Sequence, residues 1–308
     1  MAPPRVVVWR LSDGKRGHER QSDGLLGALA EHCSLERHSI AVEPQSVRGW
    51  LDFLRARFNP GRDLPRPDLI VGTGRACHWP LLTARRAYGG RSVCLMRPGL
   101  PSAMFDLCII ARHDHPRPAA NIVLSDGPLN TMRPASIRLA KSGVILIGGP
   151  SRHFGWDSSA IAEQIQHIVA QQPEIDWQLS DSRRTPADFV AALRALPGPQ
   201  PRYLAAAECA PDWLENTLAE AATAWVTADS VAMLYEALSA GAALGVIEVP
   251  QRRNDRITRI ASDLVARGWA RTFRSAAPPK PLGVPRLDEA ARCAAVLLAR
   301  WPDLGRRS

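Results

Sequence analysis

The sequence predicts an α/β protein built from two αβα domains, each with a parallel sheet, the two sheets facing a cleft. Three observations predict it. Short apolar runs alternate with stretches of helical periodicity, which is the pattern of a parallel sheet covered on both faces. The alternation pauses over residues 128–141, where Pro128 and Pro134 sit among weak signals, and it starts afresh at Val144. A length of 308 residues suits two cores of about 150 residues each. The expected division is 1–135, 136–285 and a terminal helix within 286–308.

In the first half, residues 5–10 read as a strand, 21–32 as a helix, 35–42 as a strand and 47–58 as a helix. A strand at 68–71 leads through Gly72-Thr73-Gly74 into a helix ending near 87, and strands at 92–96, 107–110 and 121–124 close the series. The second half opens with a strand at 144–147, then a helix at 158–171, a strand at 177–180 and a helix at 186–196. A weak strand at 202–206 and a helix at 211–222 follow. A helix at 255–267, a proline-rich stretch at 278–285 and a final helix at 287–300 end the chain.

Residues 225–250 organise the second half. Trp225, Val226 and Thr227 end a buried strand, Asp229 and Ser230 are expected as helix caps, and residues 231–240 carry apolar side chains at helical spacing until Gly241 stops them. Another strand, 243–249, follows. A strand turning tightly into a helix presents free N–H groups at the carboxyl edge of the sheet, where a phosphate would sit. Glu236 lies two turns into this apolar helix, a poor place for a carboxylate unless it meets a donor or a ligand hydroxyl, so it is a candidate ribose hook.

Ser12, Asp13, Gly14, Lys15, Arg16, Gly17 and His18 follow the first strand, again at a carboxyl edge. Gly14 and Gly17 permit a tight turn, Lys15 and Arg16 can neutralise phosphate, and Asp13 or His18 could take a proton. The bland alternative is a solvated turn. His113 and Asp114 follow the strand at 107–110, and His113 is the favoured general base, oriented by Asp114. Its alternative is an ordinary turn pair. Gly72 and Gly74 mimic the start of a dinucleotide fingerprint, but Cys77 replaces the third glycine, so they are expected only to shape a rim. Adjacent His-Asp-His with no partner cluster is a weak metal signal, and no metal site is expected.

The blocks WRLSDGKRGHERQSDGL, FDLCIIARHD, ILIGGPSRHFGWD, SDSRRTP and VTADSVAMLYEAL, spread over nearly the whole chain, resemble the plant mitochondrial-fission ("elongated mitochondria") family and its bacterial homologues. That family is taken to have the two Rossmann-like domains of GT-B glycosyltransferases. The resemblance implies a donor domain in the second half, where Gly148 and Gly149 bring backbone close to a diphosphate, Ser151 offers a hydroxyl and Arg152 a charge-assisted fork. It further implies a terminal helix packed back on the first domain. Ala111 stands where the family tends to have proline, and Ala210-Pro211-Asp212-Trp213 where GT-B members often have Asn-Pro-Tyr, which puts base recognition by that segment in doubt.

Net charge is +9, from 36 arginines and only three lysines against 30 acidic residues, yet the basic residues are scattered and no nucleic-acid motif is present. Nucleic acid is therefore not expected as a partner, whereas anionic ligands and an acidic membrane surface are compatible with the charge. In residues 47–58, Val47, Trp50, Leu51, Leu54 and Phe58 form an apolar stripe beside Arg48, Arg55 and Arg57, which is either core or a peripheral membrane contact. The six cysteines have no metal or redox spacing and are expected to be reduced. Val6, Val7 and Val8 read as a strand rather than a leader core, so the expected location is the cytoplasm, peripheral at the inner membrane.

No Asp-x-Asp clamp occurs, so a leaving diphosphate would be met by backbone dipoles and basic side chains. The first functional reading is therefore transfer of a sugar from a nucleotide-sugar, the substrate, to an unknown acceptor, with no cofactor and no metal. The family's organelle-division role suggests a second, a non-catalytic adaptor on the same fold. A third is a same-fold nucleotide-sugar epimerase. Nucleotide binding separates the first from the second, and acceptor-dependent nucleotide release separates transferase from epimerase.

Overall fold

The computed structural model describes residues 5–43, 48–275 and 287–304. They form two compact units, one of residues up to Thr131 together with those from Asp288 onward, the other Met132–Leu287.

The first unit contains β1 (Arg5–Ser12), α1 (Arg16–Ala30), β2 (Ser34–Ala41), α2 (Arg48–Leu54), β3 (Leu69–Thr73), α3 (His78–Tyr88), β4 (Arg91–Leu95), β5 (Leu107–Ala111) and β6 (Ile122–Ser125). The strands form one parallel sheet in the order β2-β1-β3-β4-β5-β6. Alternation along β1 feeds two cores. Val6 and Val8 pack with Leu25, Leu26 and Leu29 of α1, while Val7, Trp9 and Leu11 pack with Ile70, Leu81 and Phe58. The sheet is thus buried on both faces.

Helix α1 begins at Arg16, five residues before its periodicity predicts. The Ser12 hydroxyl donates to Glu19 at 2.7 Å, and the buried Arg10 donates to Ser22 at 2.8 Å and Asp23 at 3.2 Å. These bonds hold the first turns against β1. Arg16, Gly17 and His18 are therefore helical residues, not loop residues. Helix α2 is shorter than expected, because Ala56 takes a left-handed φ of 50° and turns Phe58 into the core beside Trp9. Trp50, Leu51 and Leu54 stay exposed on it, and Phe53 leans on Trp79 with ring centroids 5.5 Å apart. Val47 lies outside the described residues.

The second unit contains β7 (Leu139–Leu146), α4 (Ser158–Gln171), β8 (Asp176–Ser180), α5 (Phe189–Ala195), β9 (Arg202–Leu204), α6 (Trp213–Glu220), β10 (Ala221–Thr227), α7 (Val231–Ala240), β11 (Ala243–Ile247), α8 (Ile260–Ala266) and β12 (Ala270–Thr272). Its sheet is also parallel, in the order β12-β11-β10-β7-β8-β9. Strand β7 starts at Leu139, inside the stretch that reads as a linker, because Leu139 pairs with Ala221 of β10. Pairing with a neighbouring strand extends a strand beyond its own apolar run. The α4 N-cap is Asp157, whose carboxylate accepts from the Ala160 amide at 3.0 Å. Helix α7 stops at Gly241, left-handed at φ 78°, with the Ala242 amide donating to the Ala237 carbonyl at 3.1 Å. The proline-rich 278–285 stretch lies outside the described residues.

The last helix, α9 (Glu289–Arg300), belongs to the first unit. Ala290, Cys293, Ala294 and Leu297 enter the α1 core, and Glu289 accepts from the Asp126 amide at 2.7 Å.

Candidate active site

Two places at the carboxyl edges of the sheets combine buried charge with fixed geometry, one in each unit. In the first, the Asp13 side chain is 2% exposed between Lys15 and His18. Its oxygens lie 3.0 Å from Nδ1 of His18, and Oδ2 lies 3.1 Å from Nζ of Lys15. Burial pushes the Asp13 carboxyl up, but the Lys15 hydrogen bond and the charge of His18 outweigh it and hold the group below the usual carboxylate value. A carboxylate accepts only, so Nδ1 of His18 is the donor to Asp13, and in a neutral ring the lone pair falls on Nε2. The ring lies against Gly74, whose φ is 85°, and a Cβ there would overlap it. Gly74 does more than shape a rim: it makes room for an imidazole.

His113 and Asp114 are placed differently. Both are largely buried in a turn after β5, but Nε2 of His113 and Oδ1 of Asp114 are 3.8 Å apart, beyond hydrogen-bond length. The hydrogen bond expected to orient His113 is not made between these two atoms. Beside them His115 takes a left-handed φ of 45°, and the Arg97 guanidinium donates to the Asp114 carbonyl at 2.9 Å.

In the second unit the glycine turn after β7 is bolted to the β10–α7 junction. Thr227 accepts from the Gly148 amide at 2.8 Å, and Asp229 accepts from the Gly149 amide at 2.9 Å and from Nη2 of Arg184 at 2.7 Å. Ser182 donates to the Gly148 carbonyl at 2.9 Å and Thr185 at 2.5 Å. A Cβ on Gly148 would overlap the Asp229 carboxylate, and one on Gly149 the Arg184 carbonyl. These glycines admit neighbouring protein groups. Ser230 occupies the N-cap position of α7 without a side-chain cap bond, and Asp229, expected as a cap, spends its carboxylate on the turn. Glu236 is 2% exposed on α7.

Ser151 accepts from the amides of His153 at 3.1 Å and Phe154 at 3.2 Å. Arg152 donates from Nε to Nε2 of His153 at 2.8 Å, and Nδ1 of His153 lies 2.6 Å from Asp255. Burial raises the Asp255 carboxyl, but the bond from His153 and the amides of Ile257 and Thr258 outweigh it and hold it low. Among the described residues no group of three or more His, Cys, Asp or Glu could hold a metal ion.

The sequence profile described as "Mitochondrial fission ELM1" matches residues 16–301. The chain belongs to that family. A comparison of the chain with curated proteins returns no match. Solved structures do resemble the chain. The UDP-GlcNAc 2-epimerase from Neisseria meningitidis bound to UDP-GlcNAc is 11% identical, covering 98% of this chain and 93% of its own, with a TM-score of 0.54. The S. aureus MnaA–UDP structure is 11% identical over 98% and 97%, with a TM-score of 0.51. Phytolacca americana UGT2, complexed with UDP-2-fluoro-glucose and pterostilbene, is 9% identical over 95% and 89%, with a TM-score of 0.50. At such identities the likeness is one of fold, and it makes the ELM1-family chain a GT-B-like protein with two Rossmann-type domains.

Sequence reasoning passed over three residues of this arrangement. Arg184 and Thr185 stand in the SDSRRTP block, which carries the family resemblance but no sign of these bonds, and Asp255 lies 102 residues from the histidine it holds. Spacing carries no signal for either contact. Gly74 was visible as a glycine next to a strand end, but its partner His18 is visible only once β1 and β3 are neighbours.

Proposed function

We propose that this ELM1-family protein transfers a sugar from a nucleotide-sugar, bound by the second unit, to an acceptor hydroxyl that the first unit deprotonates. The observation that carries the reading is the Asp13–His18 pair, an imidazole with one nitrogen fixed by a buried carboxylate and the other carrying a lone pair. In this reading Nε2 of His18 takes the acceptor proton as the acceptor oxygen bonds to the anomeric carbon. The bond from that carbon to the diphosphate breaks, and the nucleoside diphosphate leaves with the electron pair. The first-turn amides of α7 and the Ser230 hydroxyl would meet the diphosphate, and Glu236 would accept from the ribose hydroxyls. Asp229 and Arg184 act here by holding the turn. The nucleotide-sugar is the substrate, and no cofactor is invoked.

The fold relatives named above contain UDP or UDP-sugars, so UDP, UDP-glucose and UDP-GlcNAc are the first probes. A ligand at about 100 times its Kd should add about 2.7 kcal/mol to stability in a thermal-shift assay. The proposal expects such a shift, and acceptor-dependent release of free nucleotide from the sugar donor. Nucleotide binding with no turnover would favour an adaptor. Interconversion of UDP-sugars without an acceptor would favour an epimerase. No binding by any nucleotide diphosphate or nucleotide-sugar would remove the reading altogether.

A further inference from the structure

Five large hydrophobic side chains stand exposed among the described residues, and three of them, Trp50, Leu51 and Leu54, lie on the single short helix α2. Helical spacing places Trp50 and Leu54 on one face with Leu51 at its edge, and Asp52 on the far side. Phe53 continues the apolar arc inward. It lines a cavity of about 440 Å³ between α2, α3 and the turn at Ser102–Met104, together with Leu82, Ala103, Met104, Arg85 and Arg86.

The two arginines of this cavity are not equivalent. Arg85 is committed, donating to Asp106 at 2.6 Å and to the Met104 carbonyl at 3.3 Å, so it is part of the wall. Arg86 is exposed and lies over the Phe53 ring, 5.4 Å from its centroid, with no carboxylate within ion-pair distance among the described residues. An apolar cavity with an uncommitted guanidinium at its mouth, beside a tryptophan and two leucines in solvent, matches an anionic headgroup above an acyl boundary.

We propose that α2 and the Phe53–Arg86 cavity form a docking site for the surface of a bilayer containing anionic phospholipid. Arg86 meets a lipid phosphate, and Trp50, Leu51 and Leu54 enter the headgroup boundary. Charge complementarity favours the bilayer, since the chain carries +9 and Arg55 is also exposed beside the patch. Size argues against a protein partner: specific protein interfaces bury about 800 Å² and about 20 to 30 residues a side, far more than this seven-residue helix supplies. The inference does not depend on sugar transfer.

The test is vesicle flotation of the full chain with phosphatidylcholine alone and with phosphatidylcholine containing phosphatidylglycerol. Binding to the anionic vesicles only is expected. The exposed double variant Trp50→Ser/Leu54→Ser should lose it, and Arg86→Glu should weaken it about fivefold or more, from the contribution of one basic residue near a charged surface. Arg202→Glu, an equal charge change on an exposed residue of β9, should leave binding within about twofold of wild type. Three results would overturn the proposal: equal binding to neutral vesicles, equal loss with Arg202→Glu and Arg86→Glu, or no vesicle binding together with a dimer in solution that Trp50→Ser/Leu54→Ser dissociates. Unchanged melting temperatures of the variants exclude misfolding as the cause of a loss.

Discussion

Asp13 and Asp229 are both carboxylates with side chains almost wholly buried, both at the carboxyl edge of a parallel sheet, and both shared between a cation and a second donor. What differs is the second donor. Asp13 holds an imidazole, which can accept and release a proton near neutral pH, whereas Asp229 holds the Gly149 amide and an arginine, neither of which does. One buried carboxylate orients a chemical group, and the other fixes a backbone. Charge alone therefore does not mark catalysis; the titratability of the partner does.

The largest effect expected from breaking this comparison is on turnover. His18→Ala should lower it about 10²- to 10⁴-fold with nucleotide affinity and melting temperature unchanged, the usual worth of a positioned general base. His113→Ala should change it far less, since Nε2 of its imidazole lies 3.8 Å from Oδ1 of Asp114, beyond hydrogen-bond length. The reverse pattern in nucleotide-release kinetics would move the base to His113 and leave Asp13 and His18 as a phosphate clamp.

Asp229→Ala should act on stability instead. It removes the carboxylate partner of the Arg184 guanidinium, which keeps its bonds to the Gly149 and Pro150 carbonyls, and leaves the Gly149 amide without its acceptor; breaking a buried pair costs about 3 kcal/mol or more before relief from solvent at Arg184, whose side chain is 43% exposed. Urea unfolding should show a loss of about 2 to 3 kcal/mol, with nucleotide binding weakened as the turn loosens. Asp229→Ala with wild-type stability would mean that the bolt contributes nothing.

Acid should also weaken the first unit. His78, 4% exposed against Phe105, is held neutral by burial and then by the charge of Arg75, down to about 4 from an ordinary 6.5. Between those values the unfolded chain binds a proton that the folded chain does not, so stability falls as pH drops from about 6.5 to about 4 and this contribution levels off below. The full difference is on the order of 3 kcal/mol. Asp13 acts in the same sense at lower pH: its carboxyl is depressed, so its support is present above the ordinary carboxylate value and is lost as pH falls through the depressed one. Hydrogen exchange at pH 4.5 should accordingly show faster opening around β3 and α3 in the first unit, and His78→Phe should remove that sensitivity.

The fold was legible because its signals are local. Apolar runs and the Gly241 stop each announce themselves within a few residues. The errors occurred where distant groups decide, as when Ser12 and Arg10 pull α1 forward to Arg16, or Ala221 draws Leu139 into β7. The site shows the same division. Asp13 and His18 are five residues apart and were both picked out, whereas their assembly into a pair, and the Arg184–Asp229 bond across 45 residues, depend on which strands and loops become neighbours.

The smallest expected effect on stability belongs to Gly74→Ala, and it sharpens the comparison most when set beside Gly149→Ala. At Gly74 the backbone is left-handed at φ 85°, so an alanine costs about 1 to 2 kcal/mol, and its Cβ meets the side chain of His18, which can swing away. At Gly149 the obstacle is the Arg184 backbone carbonyl, which moves only if the loop moves. The first substitution should therefore spare the fold and misplace the imidazole, lowering turnover on the order of 10²-fold, as a displacement of about 1 Å can. The second should cost more stability, with its functional loss tracking the loosened turn. If Gly74→Ala melted earlier than Gly149→Ala, or kept full turnover, the imidazole would not be held where the reaction needs it, and the distinction between an orienting carboxylate and a scaffolding one would fail in the first unit.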